Sequence, residues 1–464
     1  MTPSRLVALL LIVFALCAPA QAQDSSDFAE KAAALVDAAA RAKVFSGAVI
    51  VARNGQPVFR RAYGPANREW DIANTPETRF RIGSITKQFT AAAILKLAES
   101  GKLSLDDAVV RHVPGLPASW GGMTIRMLLN HTSGLPNVTA LPDYPSVLSR
   151  LERSPMETVA LLFGEEMLFP PGTGYEYSST GYILLAALIE RVSGIGFEAY
   201  VAQELLAPAG LRATGDSDPG AVLPRRASGY HRVAGEWRNA PPLAASAPSG
   251  AGGLTATVDD LVAWDRALLS GQVLAPASLA AMSTDNGHGY GLGWYLGTAY
   301  GQRLWSHGGF INGFAAIKDT YPDLGLTIVV LGNTETTPAQ TLSRTIAALY
   351  FGLRPETEIA VSDGVLDRYV GFYRIGPRST LRLRREGDRL FAKATGLPGF
   401  ALTPESDRVF SAPDGTRIAI DIEPDGRATG LMIHADDVDR SGPRIDPATA
   451  RRITARRVAR LPVP

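Results

Sequence analysis

Gly83-Ser84-Ile85-Thr86-Lys87-Gln88-Phe89-Thr90-Ala91-Ala92-Ala93-Ile94-Leu95-Lys96-Leu97-Ala98-Glu99-Ser100-Gly101 is the stretch on which the fold of this chain turns. From Phe89 to Glu99 it reads as an apolar helix stopped at Gly101, a residue suited to the left-handed turn past a helix end. Ser84 then stands at the helix N-terminus, with Lys87 one turn on and on the same face. The chain has seven lysines, and Lys87 alone has a serine three residues before it. Unpaired N–H groups and the positive end of the helix dipole favour an anion beside Ser84. A serine hydroxyl is a weak nucleophile until a base takes its proton, and a desolvated lysine amine can be that base. Taken alone, the spacing favours a plainer reading, an N-cap serine followed by a solvated lysine.

Two segments further along bear on that choice. Pro170-Pro171-Gly172-Thr173-Gly174-Tyr175-Glu176-Tyr177-Ser178-Ser179-Thr180-Gly181-Tyr182 is a rigid loop that presents tyrosine at the mouth of a helix running from Ile183 to Val192. A lysine nearby lowers a phenol's pKa, which would make Tyr177 a proton shuttle; the plain alternative is a loop tyrosine that packs its ring and bonds its hydroxyl. His307-Gly308-Gly309 falls on an expected strand. Two glycines let backbone approach a ligand closely, and the next N–H, that of Phe310, is suited to an oxyanion; the alternative is a bulge or a strand end. Competing catalytic patterns are missing: no Gly-x-Ser-x-Gly, no His-Glu-x-x-His and no phosphate-binding glycine loop. The histidines at 112, 131, 231, 288 and 434 show no metal-ligand spacing.

Around these segments the chain divides into two textures. Residues 27–43 read as an amphipathic helix. Gly47–Arg53, the Asn54-Gly55 turn and Pro57–Tyr63 read as a hairpin. Trp305–His307, Gly313–Lys318 and Leu326–Leu331 read as strands, the last apolar on both faces like a central strand, and a helix from Pro338 to Phe351 follows. Beyond a break at 354–362, short alternating strands at Tyr369–Arg374, Thr380–Arg384, Arg389–Lys393, Val409–Ser411, Arg417–Ile422 and Thr429–His434 suggest a small antiparallel barrel or sandwich over 363–445. An Arg-rich stretch, 446–464, reads as a solvated tail.

Composition narrows the function. At 464 residues and 46% hydrophobic, the chain is long enough for one large domain and a smaller one, with no metal or disulfide staple required. Lys and Arg total 46 against 45 Asp and Glu, so the basic surplus of a nucleic-acid binder is lacking. The single cysteine, Cys17, excludes disulfides within the chain and thiolate metal clusters. Residues 1–22 carry Arg5, an apolar run from Leu6 to Cys17 and Ala20-Gln21-Ala22, the pattern of a cleavable export signal. That run is about 12 residues, short of the roughly 20 needed to span a bilayer. The expected mature protein starts near Gln23, spans no membrane, and is periplasmic or secreted.

Ser84 and Lys87, then Tyr177, then His307 and Gly309, occur in the order of the motifs of the serine β-lactamase and penicillin-binding-protein superfamily, and the chain resembles its class C branch. Leu128–Leu135, Ser249–Thr255 and Tyr290–Trp294 add to the resemblance, which covers residues 28–353; the segment from 363 on is similar to lipocalin-like modules appended to some relatives. The resemblance implies an α+β fold, in which an antiparallel sheet made from the first hairpin and the last strands lies beside a helical domain, followed here by a small all-β barrel-like domain. The hydrolase domain would occupy 23–353. The resemblance also implies roles: Ser84 as nucleophile, Lys87 and Tyr177 as proton carriers, the Ser84 and Phe310 N–H groups as oxyanion donors, and Ser179, His307 and Gly309 at the substrate. It implies no metal and no organic cofactor. Ser179 departs from the usual asparagine, and His307 replaces the lysine of most class C β-lactamases. These departures point away from strong β-lactamase activity. The resemblance implies an exported hydrolase of small amides or esters, with D-amino-acid-containing peptides, including cell-wall peptides, foremost, as in D-alanyl-D-alanine carboxypeptidases and D-aminopeptidases. A carboxylesterase or a weak class C β-lactamase is the alternative within the superfamily. A catalytically silent binding module on the same fold is the alternative from another class.

Overall fold

The structure, a computed structural model, describes residues 25–455 except 142, 145, 217, 219, 234, 354–360, 377–378, 396–398, 405–406, 413–415, 424 and 436–437. The expected export signal and positions 456–464 of the Arg-rich stretch lie outside the described residues, as does most of the expected linker.

Helix α1 (Ser25–Arg41) leads into strands β1 (Gly47–Arg53) and β2 (Gln56–Tyr63). The turn between the two strands has positive φ at both Asn54 (49°) and Gly55 (76°), the conformation that matches strand twist in a two-residue hairpin. Helices α2 (Thr86–Glu99), α3 (Ser179–Ser193) and α4 (Val258–Leu269) follow. Strands β3 (Tyr295–Ala299), β4 (Gln302–Ile311), β5 (Phe314–Tyr321) and β6 (Leu326–Gly332) come next, and helix α5 (Ala339–Tyr350) closes the unit. The strands form one antiparallel sheet in the order β3-β4-β5-β6-β1-β2, so the first hairpin completes the sheet begun by the last strands.

Strand periodicity sorts the core into two layers. On β1 and β6, Ala48, Ile50, Val329 and Leu331 join Phe89, Leu184 and Trp264 on the side of α2, α3 and α4. Their neighbours Val49, Val51, Ile328 and Val330 face the other way, packing with Phe28, Val36 and Ile346 of α1 and α5. Each fully buried Val, Ile or Leu contributes about 1.5–3 kcal/mol. Both layers are also pinned by buried polar groups. Lys318 and Asp265 form an ion pair between β5 and α4, and Asp265 also accepts from Thr320 Oγ1 (2.6 Å) and Thr327 Oγ1 (2.7 Å). One residue along β5, on the opposite face, Asp319 accepts from Ser306 and from Ser343 of α5, each at 2.6 Å. No single described helix is long and apolar enough to cross a membrane.

The C-terminal part opens with helix α6 (Asp363–Tyr369), an element the sequence reading did not anticipate ahead of its first strand. Strands β7 (Gly371–Gly376), β8 (Ser379–Glu386), β9 (Arg389–Ala394), β10 (Phe400–Ala401), β11 (Thr403–Pro404), β12 (Val409–Ser411), β13 (Arg417–Ile422), β14 (Ala428–Ala435) and β15 (Val438–Ile445) make a nine-stranded sheet. Their order is β10-β9-β8-β7-β15-β14-β13-β12-β11. Only Leu402 separates the two outer strands, so the sheet curls into a nearly closed barrel. Tyr373, Leu381, Leu383, Phe410, Ile418 and Leu431 fill its interior. The sequence reading missed β15 because Val-Asp-Arg-Ser-Gly-Pro-Arg-Ile lacks alternation, yet it joins β7 to β14. A last helix, α7 (Pro447–Ala455), occupies the start of the Arg-rich stretch, with Arg451 and Arg452 exposed.

Candidate active site

Ser84 lies in a single 3-10 turn, Gly83–Ile85, directly ahead of α2. Neither end of this junction is closed by a side-chain cap, so the Ser84 hydroxyl is not spent on the helix backbone. It lies instead 3.0 Å from Lys87 Nζ, whose other bond is to the Ala251 carbonyl at 2.9 Å. Helix α2 is buried on nearly every side, and Lys87 is buried with it. Desolvation pulls the Lys87 amine down to about 7, so a large share is neutral at physiological pH. Ser84 itself is half-buried. A partly exposed hydroxyl beside a desolvated amine is an arrangement that can supply a nucleophile and its base.

Strand β4 approaches the same turn closely. A Cβ on Gly309 would fall 2.0 Å from the Ile82 carbonyl oxygen, and one on Gly83 (φ 51°) would fall 2.8 Å from the Phe310 nitrogen. Any larger residue at either position would push strand and turn apart. The Phe310 amide therefore lies beside the residue preceding Ser84, while its side chain is 66% exposed.

Tyr177 completes the group. Its ring centroid is 4.8 Å from Lys87 Nζ. The loop carrying it is tied to residues 131–134: Gly172 N donates to Thr132 O (2.8 Å), Glu176 N to His131 O (3.0 Å) and Leu168 N to Gly134 O (2.9 Å). Ser179 is the half-buried first residue of α3.

His307 lies on β4. It is 2% exposed, with Nδ1 at 2.6 Å from the Gly308 carbonyl and Nε2 at 3.0 Å from the Tyr290 hydroxyl. That pairing assigns the ring proton to Nδ1 and makes Nε2 an acceptor. Burial, reinforced by the charge of Lys87, lowers its pKa to about 3. The side chain thus offers a substrate carboxylate no charge.

Sequence reasoning overlooked an aromatic wall around Lys87 and Tyr177. Tyr175, Tyr290 and Tyr295 belong to it, with His131 4.3 Å from the Tyr177 ring centroid and His288 5.3 Å from that of Tyr175. Its members come from three separate loops or strands with no common spacing; only the flanking text at Leu128–Leu135 and Tyr290–Trp294 hinted at them.

A family profile described as beta-lactamase matches residues 31–351. The chain belongs to the beta-lactamase family. A penicillin-binding protein of Bacillus subtilis (strain 168) is 29% identical over 405 residues, covering 79% of this chain and 87% of that protein. Among solved structures, the octameric penicillin-binding protein homologue from Pyrococcus abyssi superposes with a TM-score of 0.65 at 25% identity, covering 90% of this chain and 100% of that one. A D-stereospecific amidohydrolase from Streptomyces sp. superposes with a TM-score of 0.58 at 27% identity, covering 71% and 99%. Within the family, this chain is a serine hydrolase of the β-lactamase and penicillin-binding-protein superfamily.

Proposed function

We propose that the protein is an exported hydrolase that forms an acyl-enzyme at Ser84 with small amides or esters, D-amino-acid-containing peptides foremost. The observation that carries this reading is the desolvated Lys87 amine 3.0 Å from Ser84 Oγ. Neutral Lys87 takes the hydroxyl proton as Ser84 Oγ bonds to the substrate carbonyl carbon. Tyr177 passes the proton to the departing amine or alkoxide as the carbon–nitrogen or carbon–oxygen bond breaks. The Ser84 and Phe310 N–H groups stabilise the oxyanion, and water then releases the acyl group by the reverse proton path. The D-stereospecific amidohydrolase at 27% identity supports the substrate class, and the pattern of residues 1–22 supports export.

Ester hydrolysis is a second reading, favoured by two features of the site. Ser179 supplies a hydroxyl in place of an amide, and His307 is neutral with both nitrogens engaged. Each weakens the polar hold on a substrate's amide or carboxylate, at about 1–3 kcal/mol per contact. Steady-state kinetics on peptides ending in D-Ala-D-Ala, D-amino-acid amides, short nitrophenyl esters and a chromogenic cephalosporin test the assignment. Turnover of the D-amino-acid amides or peptides is expected, with the cephalosporin cleaved slowly. Turnover of esters alone would favour the second reading, and efficient cephalosporin hydrolysis would contradict both.

A further inference from the structure

We propose that His131 is a positioning residue that holds Tyr177 in reach of Lys87 by clamping the chain on both sides of it. Three contacts, to three consecutive residues, come from this one side chain and its own carbonyl. The His131 carbonyl accepts the Glu176 N–H at 3.0 Å, its Nδ1 accepts the Ser178 N–H at 3.2 Å, and its ring lies 4.3 Å from the Tyr177 ring at a tilt of 41°. A left-handed backbone at His131 (φ 63°), which non-glycine residues seldom adopt, accompanies this arrangement.

The clamp is itself held. His131 is 1% exposed, and its ring contacts those of Tyr182 (5.3 Å) and Tyr290 (4.7 Å). Tyr182 is anchored by its hydroxyl on the Leu129 carbonyl at 2.6 Å, and Tyr290 by His307. An Nδ1 that accepts from Ser178 requires a neutral ring with its proton on Nε2. Burial and the neighbouring Lys87 keep it neutral. A merely space-filling histidine would affect stability, whereas a clamp acts on the proton step, where a displacement of about 1 Å costs as much as a hundredfold in rate.

The inference rests on Tyr177 acting as the proton shuttle, so the test is a double-mutant cycle in the full-length protein. The variants are His131→Gly, which tolerates the left-handed backbone, and His131→Asn, which tolerates it and keeps an acceptor for the Ser178 N–H. Each is combined with Tyr177→Phe, and kcat and KM are read on a nitrophenyl ester and a D-amino-acid anilide, with thermal unfolding as the control for folding. His131→Gly is expected to lower kcat about tenfold to a hundredfold with little change in KM, and His131→Asn to lower it less. Both effects should vanish in the Tyr177→Phe background. If His131→Gly does not fold, the His131→Asn cycle carries the same prediction. Equal losses with and without the Tyr177 hydroxyl would overturn the clamp, as would wild-type kcat for His131→Gly. Wild-type kcat for Tyr177→Phe alone would overturn the shuttle, and the clamp with it.

Discussion

Lys87 sets the chemistry of the site through its burial. The Ser-x-x-Lys spacing alone favoured a capping serine and a solvated lysine; the structure replaces both, because α2 is a core helix and takes Lys87 inside with it. An ammonium without water is unfavourable, so burial draws the amine's pKa down to about 7, well below that of an exposed lysine. The sign follows directly. Lysine acts as base only when deprotonated, so kcat/KM should be low at pH 5, rise about tenfold per unit towards pH 7, and level off above it. A profile measured on a neutral ester checks this. Lys87→Arg, which cannot lose its proton, should be slower by about a thousandfold while Ser84 remains in place. A flat profile from pH 5 to 9 would remove Lys87 from the role of base.

At the scale of elements, what was legible in the sequence is what local chemistry dictates. Asn54-Gly55 requires its hairpin, the double-faced apolar run of β6 requires a central position, and His307-Gly308-Gly309 does lie on a strand. What escaped was set by long-range pairing. Strand β15 is polar and lacks alternation, and the Tyr175–Tyr290–Tyr295 wall assembles from segments more than a hundred residues apart. Asp265 and Lys318 belong to the same class: on their separate elements, neither announces the buried pair that joins α4 to β5. Removing one member leaves an uncompensated charge in the core, at about 3–5 kcal/mol. Asp265→Leu is therefore expected to lower stability by that amount in denaturant unfolding. The double variant Asp265→Leu/Lys318→Met should recover most of the loss, despite the Thr320 and Thr327 hydroxyls left without their acceptor. A single variant as stable as wild type would show that the pair does not pin the helix.

On the scale of the whole molecule, apolar packing separates the chain into two parts. The two layers about the six-stranded sheet draw on residues 28–351, and the interior of the nine-stranded barrel draws on residues 361–433 alone. A chain ending at Gly352 is accordingly expected to fold and to keep hydrolytic activity, and calorimetry of the full chain should show a transition that this shorter chain lacks. An unfolded, inactive shorter chain would mean that the barrel is part of the catalytic fold. Acyl-enzyme formation at Ser84 is expected because its hydroxyl is partly exposed beside the Lys87 amine, in the 3-10 turn just ahead of a buried helix. Peptide mass spectrometry after reaction with a fluorophosphonate probe tests it most directly. A single adduct on Ser84, absent from Ser84→Ala, is the result expected, whereas an adduct on any other residue, or undiminished labelling of Ser84→Ala, would contradict it.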